Sequence, residues 1–266
     1  MKKKLTKIIL LTKINNKKDI LNYEVYYFSI QELVRFLMEG CFLLLFVSIL
    51  FYDSFLPFFI LVFPFLYCYL DKKQKTLCEK RKQTLNQQFR EVILAVSSHL
   101  QAGFSIENSF YEAYRDMQVL YGKDSFIVRE LSWILHRLSN NEQLEKVLTE
   151  LAERSGSEDI SEFAAVFSIA KRGGGDICSI IARTATIIGD KMEVAREIET
   201  IMSEKRMEQK IMQCMPFFLI GYLSLTSSGF FDSLYHNLVG ILLMTGCLAV
   251  YVFACYMAEK ILAVAI

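Results

Sequence analysis

Histidine, cysteine and clustered glycine are the residue types here that could carry chemistry, and their spacing argues against it. The three histidines, His99, His136 and His236, lie far apart in the chain. None has a second histidine four positions on, the spacing that sets two imidazoles on one helix face around a metal. His99 and His136 read instead as helix-surface residues. The seven cysteines, Cys41, Cys68, Cys78, Cys178, Cys214, Cys247 and Cys255, include no C-x-x-C pair. Five of them lie in or beside long apolar runs, where a thiol behaves as a small hydrophobe. An odd number in a reducing compartment implies no disulfide framework. The run Gly173-Gly174-Gly175 lacks the Lys-Ser/Thr of a phosphate loop and follows a helical pattern, not a strand. No catalytic residue, cofactor or metal is therefore expected, and the chain reads as non-enzymatic. What remain are residues that bend or end helices. Gly103, Arg172, Gly173, Gly174, Gly175, Asp176 and Pro216 are expected to serve as interaction or structural-turn positions; the competing role is capping alone for the glycines, dipole compensation for Arg172 and Asp176, and the simple start of a helix for Pro216, whose first reading is a hinge.

The elements that must position these residues follow from composition. The 266 residues are 53% hydrophobic, with a mean hydropathy of +0.30 and a net charge of +1. That apolar share exceeds the usual one for soluble domains and points to a membrane. Near-neutral charge argues against a nucleic-acid binder. Glycine and proline number only 12 and 3, too few for the tight connections of a sandwich, barrel or Rossmann domain. Four runs are apolar enough to span: Leu33–Tyr52, Phe55–Leu70, Ile211–Thr226 and Leu238–Ala258. The first pair could alternatively form a re-entrant hairpin. Pro57, Pro64 and Pro216 all lie in these runs, where neighbouring helices can satisfy the freed carbonyls.

Lysine and arginine fix the expected orientation. They crowd residues 1–35, then Lys72–Lys82, then Lys205–Lys210, with Lys260 after the last run, whereas Asp53-Ser54 and the 227–237 turn carry none. The expectation is a multi-pass protein of the cell (inner, cytoplasmic) membrane, with both termini and the middle in the cytoplasm. Its segments are a basic N-terminal stretch (1–32), a transmembrane hairpin (33–70), a cytoplasmic bundle (71–210), a second hairpin (211–258) and a tail (259–266). No secretory signal is read at the N-terminus, because Lys7 interrupts its short apolar core. Residues 1–18 read as a basic helix on the inner leaflet or as an unstructured tail.

Within 71–210, apolar residues recur at helical spacing in six stripes and no strand pattern appears. The stripes are Leu85–Leu100, Phe110–Tyr121, Ile127–Leu138, Leu144–Leu151, Ile160–Ala170 and Ile177–Met202. Helix ends are expected at Gly103 before an N-cap Ser105, at an N-cap Asn141, at Gly156 in a C′ position, at N-cap Ser157, and at Lys171-Arg172 before the triglycine. Asp176 would cap the last helix. From there to Met215 only Gly189 interrupts the pattern, so a rod of roughly 60 Å could run into the third apolar segment. An interruption near Ser203–Glu204 is the alternative. The expected fold is thus an all-α integral membrane protein, with four transmembrane helices and a cytoplasmic bundle of about six helices.

Several segments, in order, resemble the type II secretion F domain. They are EVILAVSSHLQAGFSIENSF (91–110), LEKVLTELAER with SGS (144–157), IAKRGGGD (169–176), KRME (205–208), MPF (215–217) and MAEKI (257–261). The resemblance covers about residues 85–262. One copy of the domain between two pairs of spans is similar to the TadB/TadC-type proteins of the Tad (Flp) pilus system. One departure is Ser228-Gly229 where that family often has Pro-Gly. The resemblance implies an inner-membrane platform for pilus assembly or type II-like secretion, coupling a cytoplasmic ATPase to pilin extraction. Its partners would be a secretion-type ATPase, a paralogous platform protein, pilin subunits and the membrane, with no nucleic acid, in a homo- or hetero-oligomer. The competing classes are a membrane-bound signalling or sensor adaptor with a helical output domain, and a transporter or membrane enzyme. The first lacks a sizeable external domain, and the second lacks mid-membrane ionisable residues beyond Glu39.

The near-zero net charge is itself a cancellation. Residues 92–204 hold 11 basic and 18 acidic side chains, while the stretches flanking the apolar runs are basic. A basic collar and an acidic body are expected, the latter a candidate docking face for a basic partner surface.

Overall fold

The computed structural model of the protein describes residues 23, 26, 28–52, 54–173, 177–226, 235 and 237–264. Regular secondary structure among these residues is entirely α-helical. The helices are α1 (Ile30–Tyr52), α2 (Leu56–Gln101), α3 (Ile106–Tyr121), α4 (Phe126–Ser139), α5 (Leu144–Ser155), α6 (Glu158–Arg172), α7 (Ile177–Thr226) and α8 (Leu238–Val264). They divide into two units. One is Lys73–Glu193 with the described residues up to Phe28; the other is Ser29–Lys72 with the described residues from Val194 on.

The first unit is a six-segment bundle built from most of α2, all of α3–α6 and the start of α7. The stripes read from the sequence are its core. Leu85, Phe89, Val92, Val96, Phe110, Met117, Ile127, Leu131, Ile134, Leu148, Leu151, Phe163, Phe167, Ile181 and Ile188 are all buried. Each side chain so placed stabilises by about 1.5–3 kcal/mol relative to exposure. Phe89 meets Phe163 edge-on at 5.6 Å, and Phe163 stacks on Phe167 at 6.1 Å, which ties α2 to α6. The last stripe extends less far than its pattern suggests: Ile198 is exposed, and α7 leaves the bundle core after Met192.

Helix ends follow the expected chemistry at most positions. Ser105 accepts a hydrogen bond from the Asn108 amide at the start of α3, and Ser157 accepts one from Ile160 at the start of α6. Gly156 closes α5 in the left-handed conformation, φ 57° and ψ 29°. Asn141 differs from expectation. It does not cap α5, whose preceding residue is Gln143; it sits just past α4 at φ 61° and donates its amide to the Leu138 carbonyl at 2.9 Å. Asparagine serves both roles, since its short side chain accepts at an N-cap and also tolerates left-handed backbone, and here the second role wins. A start signal unread in the sequence opens α1, where the Glu32 carboxylate accepts from the Ser29 amide at 3.0 Å, half of a capping box.

In the second unit two helices, Ile30–Tyr52 and Val239–Leu262, are long and apolar enough to cross a membrane. The other two apolar runs, 55–70 and 211–226, contribute to α2 and α7, so each belongs to a longer helix with a polar continuation. Gly40 of α1 faces α2 closely: a Cβ there would lie 2.9 Å from Leu66 Cδ2 and 3.3 Å from Tyr69 Cδ1. The Phe217 ring of α7 meets Phe46 and Phe51 of α1 at 6.2 and 6.1 Å, and Tyr251 of α8 at 5.4 Å. Large apolar side chains point outward on all four elements, among them Phe42, Phe63, Phe218, Leu242 and Phe253. An outward apolar surface on this scale marks a site of contact with a membrane or with other protein.

Gly103 and Gly173 separate conformational need from simple helix ending. Gly103 holds φ +91° with open space where a Cβ would go, whereas Gly173 has ordinary helical dihedrals and a Cβ there would lie 3.3 Å from the Ile169 carbonyl oxygen. Gly103→Ala should destabilise the bundle by roughly 1–2 kcal/mol and Gly173→Ala by under about 0.5. Denaturant melts followed by circular dichroism measure both, and equal losses would contradict the distinction.

Candidate functional site

The residues singled out in the sequence do not converge on one site. Gly103 lies in the α2–α3 turn, its amide donated to Leu100 at 3.0 Å. Arg172 and Gly173 end α6: the guanidinium of Arg172 donates to Ser168 Oγ at 2.9 Å, and the Gly173 amide to the Ile169 carbonyl at 2.9 Å. Gly174, Gly175 and Asp176 lie outside the described residues, as does most of the 227–237 turn. Pro216 belongs to the other unit and lies inside α7, so no helix begins there. Proline removes one ladder donor at that point. Tyr251 of α8 donates its hydroxyl to the Gln213 carbonyl at 2.7 Å, one turn before the proline.

Arg172 does border an open hollow between α5 and α6, about 450 Å³, with a floor of Ala152, Ala164 and Ala165 and with Glu153 at its rim. A second hollow of about 550 Å³ lies between α3 and α4 and is lined by Tyr111, Tyr114, Leu135 and His136. Both are shallow and weakly polar, suited to contact rather than to chemistry. Among the described residues, no group of three or more His, Cys, Asp or Glu side chains is placed to hold a metal ion. His99 instead makes a hydrogen bond to Asp116 of α3, Nε2 to Oδ2 at 2.8 Å.

The most constructed polar sites are two that the sequence reading passed over. In the first, Asp159, which opens α6 just after its capping Ser157, accepts from Arg90 Nε at 2.9 Å, Arg90 Nη2 at 2.5 Å and Asn86 Nδ2 at 2.6 Å. Ser157 donates to Asn86 Oδ1 at 2.7 Å, and Lys191 of α7 stands 3.7 Å from the carboxylate. Three helices therefore meet at one carboxylate. Burial by itself would raise the Asp159 pKa, but the Arg90 and Asn86 hydrogen bonds and the Arg90 and Lys191 charges outweigh it, leaving it below the usual carboxylate value.

In the second, Glu130 of α4 is 5% exposed and pairs with Arg154 of α5 through contacts of 2.7 and 3.2 Å. Tyr23, itself 1% exposed, donates its hydroxyl to Glu130 Oε1 at 3.0 Å. Burial, then the neighbouring Glu130 charge and hydrogen bond, hold the Tyr23 phenol far above its ordinary pKa, so it stays protonated. Arg154 and Arg137 lie over the ring of Trp133, at 4.5 and 4.7 Å from its centroid, and Arg137 also pairs with Glu142 and Glu150. A sequence signal for Glu130 did exist: it falls three residues after Ile127 and four before Ile134, on the buried face of α4. A charge there must find a partner. Tyr23 belongs to no periodic stripe, and nothing in the sequence marked it.

Comparison with protein-family models, with curated proteins and with solved structures finds no match to this chain.

The sign of the Asp159 effect is fixed by its depressed pKa. Its stabilisation is present above the unfolded carboxylate value of about 3.9 and is lost as pH falls through the folded value. Asp159→Asn should lower the unfolding free energy at pH 7 by about 1–3 kcal/mol, with the gap to the parent narrowing below about pH 4. Thermal melts of the two proteins in detergent at pH 7 and pH 3 test this. A gap that is constant with pH would remove the ion-pair explanation.

Proposed function

We propose that the protein is a non-enzymatic inner-membrane platform of the Tad/Flp pilus or type II-like secretion kind, coupling a cytoplasmic ATPase to pilin extraction. The observation that carries this reading is α7, a single unbroken helix of 50 residues, Ile177–Thr226. Its first part packs in the bundle core, and its last part is a charge-free apolar run. Soluble-type core packing and apolar outward-facing surface thus occur along one backbone ladder, as a part that transmits displacement requires. The ordered F-domain-like motifs and the caps at Ser105 and Ser157 agree with the same reading. The ATP-hydrolysing chemistry would belong to the partner, with a paralogous platform protein and pilin subunits as further partners.

Four spans complete the proposal. The shorter runs 55–70 and 211–226 support it through their contacts with the longer helices: Leu66 and Tyr69 against Gly40, and Phe217 among Phe46, Phe51 and Tyr251. Basic residues flank these runs on one side only, which supports an orientation with both termini and the bundle in the cytoplasm. With Ser228→Cys as the sole cysteine, a membrane-impermeant maleimide should label intact cells. With Cys78 as the sole cysteine, labelling should need permeabilised cells. The reverse pattern would invert the topology and remove the bundle from any cytoplasmic ATPase.

Retention of the ATPase tests the function itself. The intact protein, solubilised in detergent, should hold a co-expressed secretion-type ATPase from the same cell, and elevated salt should weaken the complex, because the body is acidic. Absence of any retention at low salt would count against the platform role.

A further inference from the structure

The Tyr23 contact is built as recognition rather than as packing. Tyr23 itself is not helical, yet its side chain and its backbone are both received. The amide donates to the Arg154 carbonyl at 3.1 Å, the carbonyl accepts from Cys78 Sγ at 3.3 Å, and the hydroxyl donates to Glu130 at 3.0 Å. The ring stands edge-on to Phe126 at 6.0 Å. Three residues on, the Tyr26 carbonyl accepts from Gln74 Nε2 at 2.8 Å, and the Arg81 guanidinium covers the Tyr26 ring at 4.4 Å.

The receiving side holds itself together without Tyr23. Glu130 is bound twice by Arg154, and Arg154 lies over Trp133, so the carboxylate that receives the phenol is oriented by the bundle alone. Preorganisation of this kind lowers the cost of binding a segment. The main-chain contacts give affinity, and the carboxylate at the end of the pocket gives selectivity for a neutral hydroxyl donor. A hydroxyl placed against a buried, paired carboxylate is discriminated strongly from its absence, because the acceptor would otherwise lose a partner. A phosphorylated tyrosine would bring its negative charge against Glu130 and is excluded.

We propose that the Phe126–Glu130–Arg154 pocket is a recognition site for a tyrosine-bearing peptide segment, which the protein fills in cis with its own Tyr23. The site is separable from its occupant, and an equivalent segment supplied in trans can take its place. Cys78, whose thiol donates to the Tyr23 carbonyl, reports on occupancy.

The test uses full-length protein in detergent with Cys78 as its sole cysteine. Tyr23→Ala should raise the maleimide labelling rate of Cys78 at least about tenfold, from the loss of a hydrogen bond to a charged acceptor and of the ring. A synthetic peptide of residues 17–28 should return labelling to the parent rate in a saturable way. The same peptide with phenylalanine at position 23 should need roughly tenfold more, and the phosphotyrosyl peptide should not protect. Should Tyr23→Ala lose its helical circular dichroism, Tyr23→Phe takes its place, with labelling expected a few-fold faster and slowed by the unmodified peptide. Labelling at the parent rate in the variant used, or no protection by the unmodified peptide, would overturn the proposal.

Discussion

A helical backbone carries its own hydrogen bonds, so it can pass from an aqueous to an apolar surround without exposing an unsatisfied amide. That constraint governs how this chain can be built. In α2 and α7 the ladder stays continuous while the side-chain surface changes, from amphipathic stripes that bury one face to apolar runs that present several. The change is written in side chains alone. Pro216 costs one bond in this ladder, and its segment is held by the Tyr251 hydroxyl on Gln213 and by the aromatic contacts of Phe217.

Most of the bundle was legible because its information is periodic and local. Phe110 and Met117, or Phe163 and Phe167, recur on a single face, and burial follows from that spacing. Ser105, Gly156 and Ser157 act within one turn of their own position, so their roles could be read from neighbours a few residues away. Asn141 could not be settled this way, because two local roles suit asparagine equally and the choice depends on where α4 ends. Tyr23 was illegible for a different reason. Its partners, Glu130 and Arg154, lie more than a hundred residues away, and a single aromatic residue in an aperiodic stretch has no pattern to reveal them. Of the candidate site residues, Gly103 was legible in its turn role, since its positive φ is a local demand; Arg172 was legible only as a helix end.

The two buried carboxylates use different means to the same end. Asp159 stands at a helix start and gathers Arg90, Asn86 and Lys191 from two other helices, with the first turn of α6 adding its own field. Glu130 stands mid-helix, has no such field, and is held by two contacts from one guanidinium, to which the Tyr23 phenol adds a third. Each joins elements distant in sequence that the apolar core alone would hold with less positional definition. Hydrophobic contact is tolerant of sliding, whereas a bidentate ion pair is not.

Trp133 is the single tryptophan of the chain, and two guanidinium groups from different helices face its ring. Indole emission responds to nearby charge and to solvent access, so the protein carries one optical probe at the point where α4 and α5 are locked together. A change in its emission cannot be diluted by tryptophans elsewhere. Movement of Arg154 in the full-length protein can therefore be followed in real time without attaching any dye.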